Sequence, residues 1–184
     1  MPLDDVRAFL LAGGRASRMG GRNKALVLVA GEPLVARTLS ILAPRMPVTI
    51  VSDRPADFAP FGVPVIPDLR PGLGPLVGIE AALAATDREY NLVLACDLPY
   101  LTWIVLAPLP RACRGFDFTL YRHARYEPLV AVYSAACLPH VRALLAAGRS
   151  RPIELLDRVR SQVLPIADGS PFHNVNRPED LDAV

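Results

Sequence analysis

The sequence predicts an α/β fold with a mostly parallel sheet and helices on both of its faces. Short apolar runs of about five residues alternate with longer segments of helical periodicity, which is typical of parallel strands joined by crossover helices. The chain has 184 residues, of which 52% are hydrophobic and 21% charged. This length and composition suit one domain with a sizeable core, so we expect a single domain over residues 1–184.

The first half of the chain contains the most regular elements. Val6–Leu11 is an apolar run closed by glycines, as expected of a strand buried on both faces. Pro33–Ala43 has helical spacing, with its proline in the first turn, where proline is tolerated. The next segments are interpreted in chain order as two strands, a helix and a strand: Val48–Ser52, Val63–Ile66, Gly74–Ala85 and Leu92–Cys96.

The second half of the chain is less regular. Phe116–Tyr121 and Leu129–Tyr133 are predicted to be strands. Leu138–Ala147 and Pro152–Arg160 are predicted to be helices, and a terminal helix is predicted to begin within Asn176–Leu181. We find no internal repeat and no linker, which favours one α/β unit.

Composition excludes several classes of protein. A net charge of +2 and a pI near 8.6 do not suggest the concentrated basic face of a nucleic-acid binder. No apolar stretch approaches the ~20 residues of a membrane helix, and the first residues lack the features of a signal peptide. The three cysteines have no zinc-binding spacing: Cys96, Cys113 and Cys137. We therefore expect buried thiols, a cytoplasmic location, and no nucleic-acid or membrane partner.

A glycine-rich loop follows the first predicted strand and reads LAGGRASRMGGRNK from Leu11 to Lys24. Glycines allow successive backbone N–H groups to point at one anion. Arg15, Arg18 and Lys24 add positive charge suited to a polyphosphate. A loop after the first strand of a parallel sheet lies where ligands bind in such folds.

The loop fits neither of two common phosphate-binding motifs. A Walker A sequence would need lysine at position 21, where Gly21 stands, and the spacing G-x-G-x-x-G is absent. The loop alone is also compatible with a glycine-rich turn carrying solvated arginines. It does not choose between substrates.

The whole loop nevertheless resembles the signature L-A-G-G-x-S-x-R-M-G-x-D-K of the molybdenum cofactor guanylyltransferase family, the MobA-type nucleotidyltransferases. The resemblance extends over nearly the whole chain. Four further segments match in order: Val65–Asp68 with Gly74–Gly78 (V-I-x-D…G-P-L-x-G), Leu94–Pro99 (C-D-x-P), Glu127–Leu129 (x-P-L) and Asn174–Leu181 (N-V-N-T-P-E-D-L).

The chain also departs from the family pattern at three places. Asn23 stands where the family usually has aspartate before its lysine. The segment Val51–Arg54 fits the family's N-A-N-R only loosely, which leaves open whether Ser52 or Asp53 faces the base. Arg177 replaces a common threonine.

The resemblance implies a three-layer, Rossmann-like nucleotidyltransferase domain. The implied reaction transfers GMP from GTP to the phosphate of molybdopterin and releases pyrophosphate, with Mg²⁺ as cofactor. The implied partners are GTP and molybdopterin, together with molybdoenzymes or other cofactor-biosynthesis proteins. Since two anions must meet in this reaction, catalysis needs positioning and neutralisation of charge.

Asp97 is the candidate metal ligand, because it follows a predicted buried strand at the edge where ligands bind. Mg²⁺ commonly takes one or two carboxylates, with phosphate and water completing its shell. An aspartate two residues before Pro99 equally suits a turn; the loop and the resemblance favour the metal. The resemblance further assigns Arg18 and Lys24 to the phosphates and adds backbone contacts with the nucleotide from Leu11, Ala12, Gly13 and Gly14.

The remaining candidates concern the base and the acceptor. Guanine needs acceptors for its N–H groups, which a carboxylate such as Asp53 can supply. Asp68 either holds the ribose or base or is an ordinary loop carboxylate. Asn174 and Asn176 are assigned to the molybdopterin side or to a neutral metal ligand, while Asn176 also suits a helix cap.

Two alternative functions remain open from the sequence. One is a sister nucleotidyltransferase that uses CTP or another phosphate acceptor. The related cytidylyltransferases usually have L-A-A-G in the first loop, so Gly13 after Ala12 favours GTP. The other alternative is a non-catalytic GTP-binding module, against which the presence of Arg18, Lys24 and Asp97 argues.

Overall fold

The structure is a computed structural model and describes residues 3–13, 23–68, 70 and 73–174. Its strands are β1 Val6–Leu11, β2 Leu28–Val29, β3 Glu32–Pro33, β4 Val48–Val51, β5 Val65–Ile66, β6 Tyr90–Ala95, β7 Phe118–Arg122, β8 Tyr126–Ser134 and β9 Ser161–Pro165. Its α-helices are α1 Leu34–Leu42, α2 Pro75–Ala85, α3 Trp103–Leu106, α4 Pro108–Ala112 and α5 Leu138–Ala146.

The main sheet is mostly parallel, as predicted. In the described part of the chain it has seven strands in the order β5-β4-β1-β6-β8-β7-β9. The pairs β4–β5, β1–β4, β1–β6 and β7–β9 are parallel, whereas β8 is antiparallel to both β6 and β7. The β1 strand therefore lies in the middle of the parallel part, which explains its continuous apolar sequence.

The side chains of β1 alternate between two core layers. Ala8 and Leu10 pack on the face covered by α1, α3 and α4. Phe9 packs on the opposite face, together with apolar residues of α2 and α5. Because a strand's side chains point alternately to its two faces, one buried strand joins both layers. The result is the expected three-layer α/β arrangement.

The predicted helix Pro152–Arg160 is wrong. Only Pro152–Leu155 is helical, as a 3₁₀ turn, and the chain then turns and enters β9. Leu155 is fully buried in the same core layer as α5, so packing holds the turn without a full helix. Ser161–Pro165 then pairs in parallel with the edge of β7. This pairing joins residues far apart in the chain, so local periodicity could not predict it.

The β2–β3 hairpin also has no counterpart among the sequence predictions. Ala30 and Gly31 have φ of 50° and 82°, as a two-residue hairpin turn of type I′ requires. The hairpin leads directly into α1, whose first residue Leu34 donates its N–H to the Val27 carbonyl at 3.0 Å. It thereby fixes the chain just after Lys24 against α1.

Two other expectations concern membranes and the chain end. None of the helices within the described ranges combines the length and the apolar character needed to cross a membrane. The predicted terminal helix within Asn176–Leu181 lies outside the described residues.

Candidate active site

A cleft of about 380 Å³ opens at the carboxyl edge of the parallel strands, and we call it the main cleft. Strands β1, β4 and β6 all end there. From β1 the chain passes through α1 on one face to β4, whereas α2 on the opposite face leads to β6 on the other side of β1. Open α/β sheets bind ligands at such a topological switch point. The described lining comprises Leu11, Ala12, Gly13, Asn23, Lys24, Val51, Asp68, Gly74, Pro75, Gly78, Ala95, Cys96, Asp97, Leu129 and Asn174.

Asp97 lies two residues after β6, and two side chains bind one of its oxygens. The Lys24 ammonium donates to Oδ2 at 2.5 Å, and the Asn174 amide donates to the same atom at 3.2 Å. The other oxygen, Oδ1, is buried and has no hydrogen-bond partner among the described residues. A buried carboxylate oxygen without a donor is costly. It is therefore the kind of atom that a cation would stabilise.

Lys24 reaches Asp97 from a short 3₁₀ helix, Lys24–Leu26. Asn23 caps this helix, because its Oδ1 accepts the Ala25 N–H at 3.1 Å. Its Nδ2 donates to Asp57 Oδ2 at 3.0 Å. The asparagine that departs from the family pattern thus ties the end of the glycine-rich loop to the segment after β4. An aspartate at position 23 could cap the helix but could not donate to Asp57.

Asn174 reaches Asp97 because the preceding segment is anchored to the β7–β8 hairpin. Phe172 is fully buried and stacks on His123 with ring centroids 5.4 Å apart. Glu127 accepts from Arg125 at 2.8 Å and lies 2.7 Å from the His123 ring nitrogen. Arg125 also donates to the Phe172 carbonyl at 3.4 Å. We call these four residues the hairpin anchor.

Asp68 follows β5 and lies beside Gly13, at the end of the described part of the first loop. A Cβ atom added to Gly13 would lie 3.4 Å from Asp68 Oδ2, at van der Waals distance, so the loop backbone and this carboxylate are direct neighbours. The Arg70 backbone N–H donates to Asp68 Oδ1 at 3.2 Å. Burial raises the pKa of the Asp68 carboxyl, and the negative charge of Asp53 raises it further, against the lowering effect of Arg70.

The amino-terminal end of α2 forms another wall of the main cleft. Gly74 precedes the helix with φ of 94°, in the left-handed region that favours glycine. Gly74 and Pro75 both line the cleft. A helix amino terminus carries partial positive charge and attracts anions. One turn later, Gly78 allows the helix to approach β1, since a Cβ there would lie 3.2 Å from Leu11.

The structure brings together only part of the residues predicted for the site. Leu11, Ala12, Gly13, Lys24, Asp68, Asp97 and Asn174 line one cleft. Ser52 is buried and its hydroxyl accepts the Arg54 N–H at 3.1 Å, whereas Asp53 is exposed. Neither is part of the described cleft lining. The predicted residues Gly14, Arg18 and Asn176 lie outside the described residues.

Several lining residues were missed because they carry no distinctive chemistry. Val51, Gly78, Ala95 and Leu129 form apolar surface in the cleft; all four lie in segments compared with the family pattern, but their side chains gave no reason to assign them a role in the site. Cys96 also lines the cleft. Burial, and next the charge of Asp97, raise the pKa of its thiol to about 12, so this cysteine is a neutral wall residue at pH 7. All three cysteines are free and buried, as expected.

A second cleft of about 430 Å³ adjoins the main one, and we call it the side cleft. The two share Pro75 at the start of α2. The side cleft is lined by Arg125, Tyr126 and Arg151, together with Pro128, Ser150, Pro152 and Ile153. Two arginines and an aromatic ring at its surface make it suited to an anionic, planar group.

Comparison with known proteins places the chain among nucleotidyltransferases. The family model described as MobA-like NTP transferase domain matches residues 8–162. A molybdenum cofactor guanylyltransferase of Pseudomonas fluorescens is 34% identical over 99% of this chain and 94% of that protein. A probable molybdenum cofactor guanylyltransferase of Flavobacterium johnsoniae is 30% identical over 98% and 96%, respectively.

A solved structure agrees with these matches. The crystal structure of molybdopterin-guanine dinucleotide biosynthesis protein A from Archaeoglobus fulgidus superposes with a TM-score of 0.82. It is 25% identical, and the match covers 96% of this chain and 95% of that one. The family resemblance and the fold class inferred from the sequence are both confirmed.

Proposed function

Because this chain belongs to the MobA-like NTP transferase family, we propose that it transfers GMP from GTP to the phosphate of molybdopterin and releases pyrophosphate. The chain is thus a nucleotidyltransferase that forms the guanine dinucleotide cofactor. Relatives named molybdenum cofactor guanylyltransferase that align with almost the entire chain support this choice of substrates.

One observation carries the proposal at the level of chemistry. In the main cleft, Lys24 and Asn174 hold one oxygen of Asp97, while the other oxygen stays buried without a donor among the described residues. A carboxylate with one oxygen held in place and the other without a donor is suited to bind a divalent cation. Over the described ranges, no group of three or more His, Cys, Asp or Glu side chains forms a complete metal cage. A single protein carboxylate suits Mg²⁺, whose other ligands are commonly phosphate and water.

Asp97 would hold Mg²⁺, which when bound supplies Lewis-acid neutralisation of the triphosphate charge. The protein's own groups contribute the rest. Lys24 places an ammonium beside Asp97, and the amino terminus of α2 adds a partial positive charge to the same cleft. Arg18 is proposed as a further phosphate ligand. These groups favour approach of a second anion to the α-phosphorus and departure of pyrophosphate.

The nucleotide is proposed to lie along the loop after β1. Leu11, Ala12, Gly13 and Gly14 would provide backbone contacts, and Asp68 would accept from the ribose or the base. Ser52 and Asp53 remain proposals for base recognition, although the described cleft lining does not include them. The negative charge of Asp53 contributes to the raised pKa of Asp68, which supports keeping Asp53 as a candidate.

The acceptor is proposed to approach from the side of Asn174 and Asn176. The side cleft adjoins this region and presents Arg125 and Arg151. A pterin ring with a phosphate matches its planar and cationic surface in chemical character. Molybdoenzymes or other cofactor-biosynthesis proteins are proposed as later partners.

The test is pyrophosphate release by purified protein supplied with GTP, Mg²⁺ and molybdopterin. Asp97→Asn should lower kcat by about a hundredfold or more, because it removes the charged metal ligand from the reaction centre. Asp87→Asn is the matched control, since Asp87 is an exposed carboxylate paired with Arg7 before β6, at the amino edge of the sheet. It should leave kcat unchanged.

The same assay separates the alternatives. Turnover with CTP but not GTP would identify a sister cytidylyltransferase. Tight GTP binding without pyrophosphate release, whatever acceptor is supplied, would identify a non-catalytic module. An Asp97→Asn variant with the wild-type rate would refute the metal assignment.

A further inference from the structure

Glu80 is a buried carboxylate that the proposed chemistry does not use. It lies in the middle of α2 and is only 7% exposed. Burying an ionised carboxylate is costly unless cations and hydrogen bonds compensate for the lost hydration. A leucine or alanine at this position would serve a packing role without that cost. The choice of glutamate therefore indicates that its negative charge has a function beyond packing.

Each carboxylate oxygen of Glu80 binds one arginine. Arg70 donates from Nη2 to Oε2 at 2.5 Å, and Arg142 donates from Nε to Oε1 at 3.3 Å. The side chains of the two arginines are 45% and 56% exposed. Arg142 belongs to α5, so this bond joins two helices. Arg70 belongs to the segment between β5 and α2, so its bond joins α2 to a wall of the main cleft.

Arg70 contacts the main cleft through its backbone. Its N–H donates to Asp68 Oδ1 at 3.2 Å, and Asp68 lines the cleft beside Gly13. The guanidinium of Arg70 and its N–H thus hold two carboxylates at once, one inside the protein and one at the cleft. Glu80 is therefore linked to the cleft residue Asp68 through Arg70 alone, by one hydrogen bond to the Arg70 guanidinium and one from the Arg70 N–H.

The charges around Asp68 show why its contact with Arg70 matters. Burial and the negative charge of Asp53 raise the pKa of the Asp68 carboxyl, whereas the backbone N–H and the positive charge of Arg70 lower it. Arg70 therefore favours the ionised form of Asp68 through both its N–H and its charge. An arginine held by a buried partner keeps its position better than one that is free to move in solvent.

We propose that Glu80 is a positioning residue for nucleotide binding, which holds Arg70 so that the Arg70 N–H orients the Asp68 carboxylate toward the nucleotide. This inference rests on the proposed function only in taking the main cleft as the nucleotide site. Glu80 touches neither substrate nor reacting atoms.

The experiment measures the dissociation constant of GTP with Mg²⁺ by titration calorimetry, without acceptor. Arg70→Met and Glu80→Gln should each weaken binding by about tenfold, because Asp68 loses its fixed orientation. Arg142→Met is the matched control, since it removes the other arginine of Glu80 but lies on α5. It should change the dissociation constant by less than about twofold, whatever its effect on thermal stability.

A second arm tests whether the effect passes through Asp68. In an Asp68→Ala background, Arg70→Met should cause no further weakening, because the side chain that Arg70 positions is already absent. Equal weakening in both backgrounds, or equal weakening by Arg142→Met, would overturn the positioning role. If the wild type binds CTP instead of GTP, the guanine assignment fails, and the same comparison with CTP still decides the role of Glu80. Wild-type protein that binds neither nucleotide overturns both proposals.

Discussion

Asp97 shows how much of the described cleft depends on single side chains. Its Oδ2 is held by Lys24, from the glycine-rich loop, and by Asn174, from the segment after β9. These two residues are distant in the sequence from Asp97 and from each other. Since both bind the same oxygen, they leave Oδ1 available for a cation. The geometry thus orients the carboxylate before any ligand arrives, which reduces the reorganisation required during reaction.

Asn23 offers a test of a single hydrogen bond. Asn23→Asp replaces the amide that donates to Asp57 by a second carboxylate at the same distance. The lost bond and the repulsion should lower the free energy of unfolding by about 1–2 kcal/mol. The expected fall in Tm is about 2–8 °C, measured by thermal denaturation at pH 7.

The reversed pair is the control for this prediction. Combining Asn23→Asp with Asp57→Asn restores one donor and one acceptor, so Tm should return toward the wild-type value. Asp57→Asn alone should be milder than Asn23→Asp, because it removes the charge without creating repulsion. A double variant no more stable than Asn23→Asp would show that the hydrogen bond is unimportant.

At the scale of elements, the hairpin anchor connects the β7–β8 hairpin to the site. His123, Arg125 and Glu127 lie in or beside this hairpin, and Phe172 belongs to the 3₁₀ helix Ser170–Phe172. The Phe172 ring lies on His123 and its carbonyl accepts from Arg125. Asn174 follows two residues later. The anchor therefore sets where Asn174 meets Asp97.

Phe172→Ala tests this connection. Removing a fully buried ring should lower the free energy of unfolding by about 3–5 kcal/mol. If the anchor positions Asn174, kcat should also fall by about tenfold to a hundredfold, since small displacements in a reaction site are costly. The rate is measured with saturating GTP well below the Tm of the variant.

Leu144→Ala provides the comparison of similar stability. Leu144 is fully buried on α5 and lines neither cleft, so its truncation should cost about 2–5 kcal/mol without affecting catalysis. Comparable losses of kcat in both variants would mean that general destabilisation, rather than the anchor, explains the effect of Phe172.

At the scale of the whole molecule, the seven-stranded sheet of the described residues brings the cleft residues together. Lys24, Asp68, Asp97 and Asn174 come from four separate parts of the chain and meet at the carboxyl edge of the sheet. Their shared position requires the folded state, so a ligand that contacts them must stabilise the native protein relative to the unfolded chain.

Ligand binding should therefore raise Tm in a metal-dependent way. At about 100 times the dissociation constant, GTP with Mg²⁺ should add about 2.7 kcal/mol to the free energy of unfolding. This corresponds to a rise in Tm of about 5–10 °C, measured by differential scanning calorimetry. Excess EDTA should remove most of the rise in wild-type protein, whereas Asp97→Asn should show a small rise that EDTA does not change. A full rise in the presence of EDTA would contradict the metal role of Asp97.

Some elements could be predicted from the sequence because their cause is local. The β1 strand has the predicted bounds, and α2 begins at Pro75 and ends at Ala85 within its predicted range. Continuous burial produces an apolar run, and glycine and proline mark the ends of elements. The helix predicted over Pro152–Arg160 was wrong, because its local periodicity suits a helix but does not show the long-range pairing that follows. The next residues form β9, which pairs with the edge of β7.

Amino-acid order alone predicted the alternation of strands and helices, the family, and Lys24, Asp68, Asp97 and Asn174 as candidate site residues, which the structure shows lining one cleft. These properties depend on side-chain type and spacing, which a sequence displays directly. Tertiary structure decided which oxygen of Asp97 accepts hydrogen bonds and that the buried Ser52 hydroxyl accepts the Arg54 N–H. It also decided that Glu80 lies buried between two arginines. Such contacts join residues far apart in the chain or depend on burial, so the packing of the folded molecule determines them.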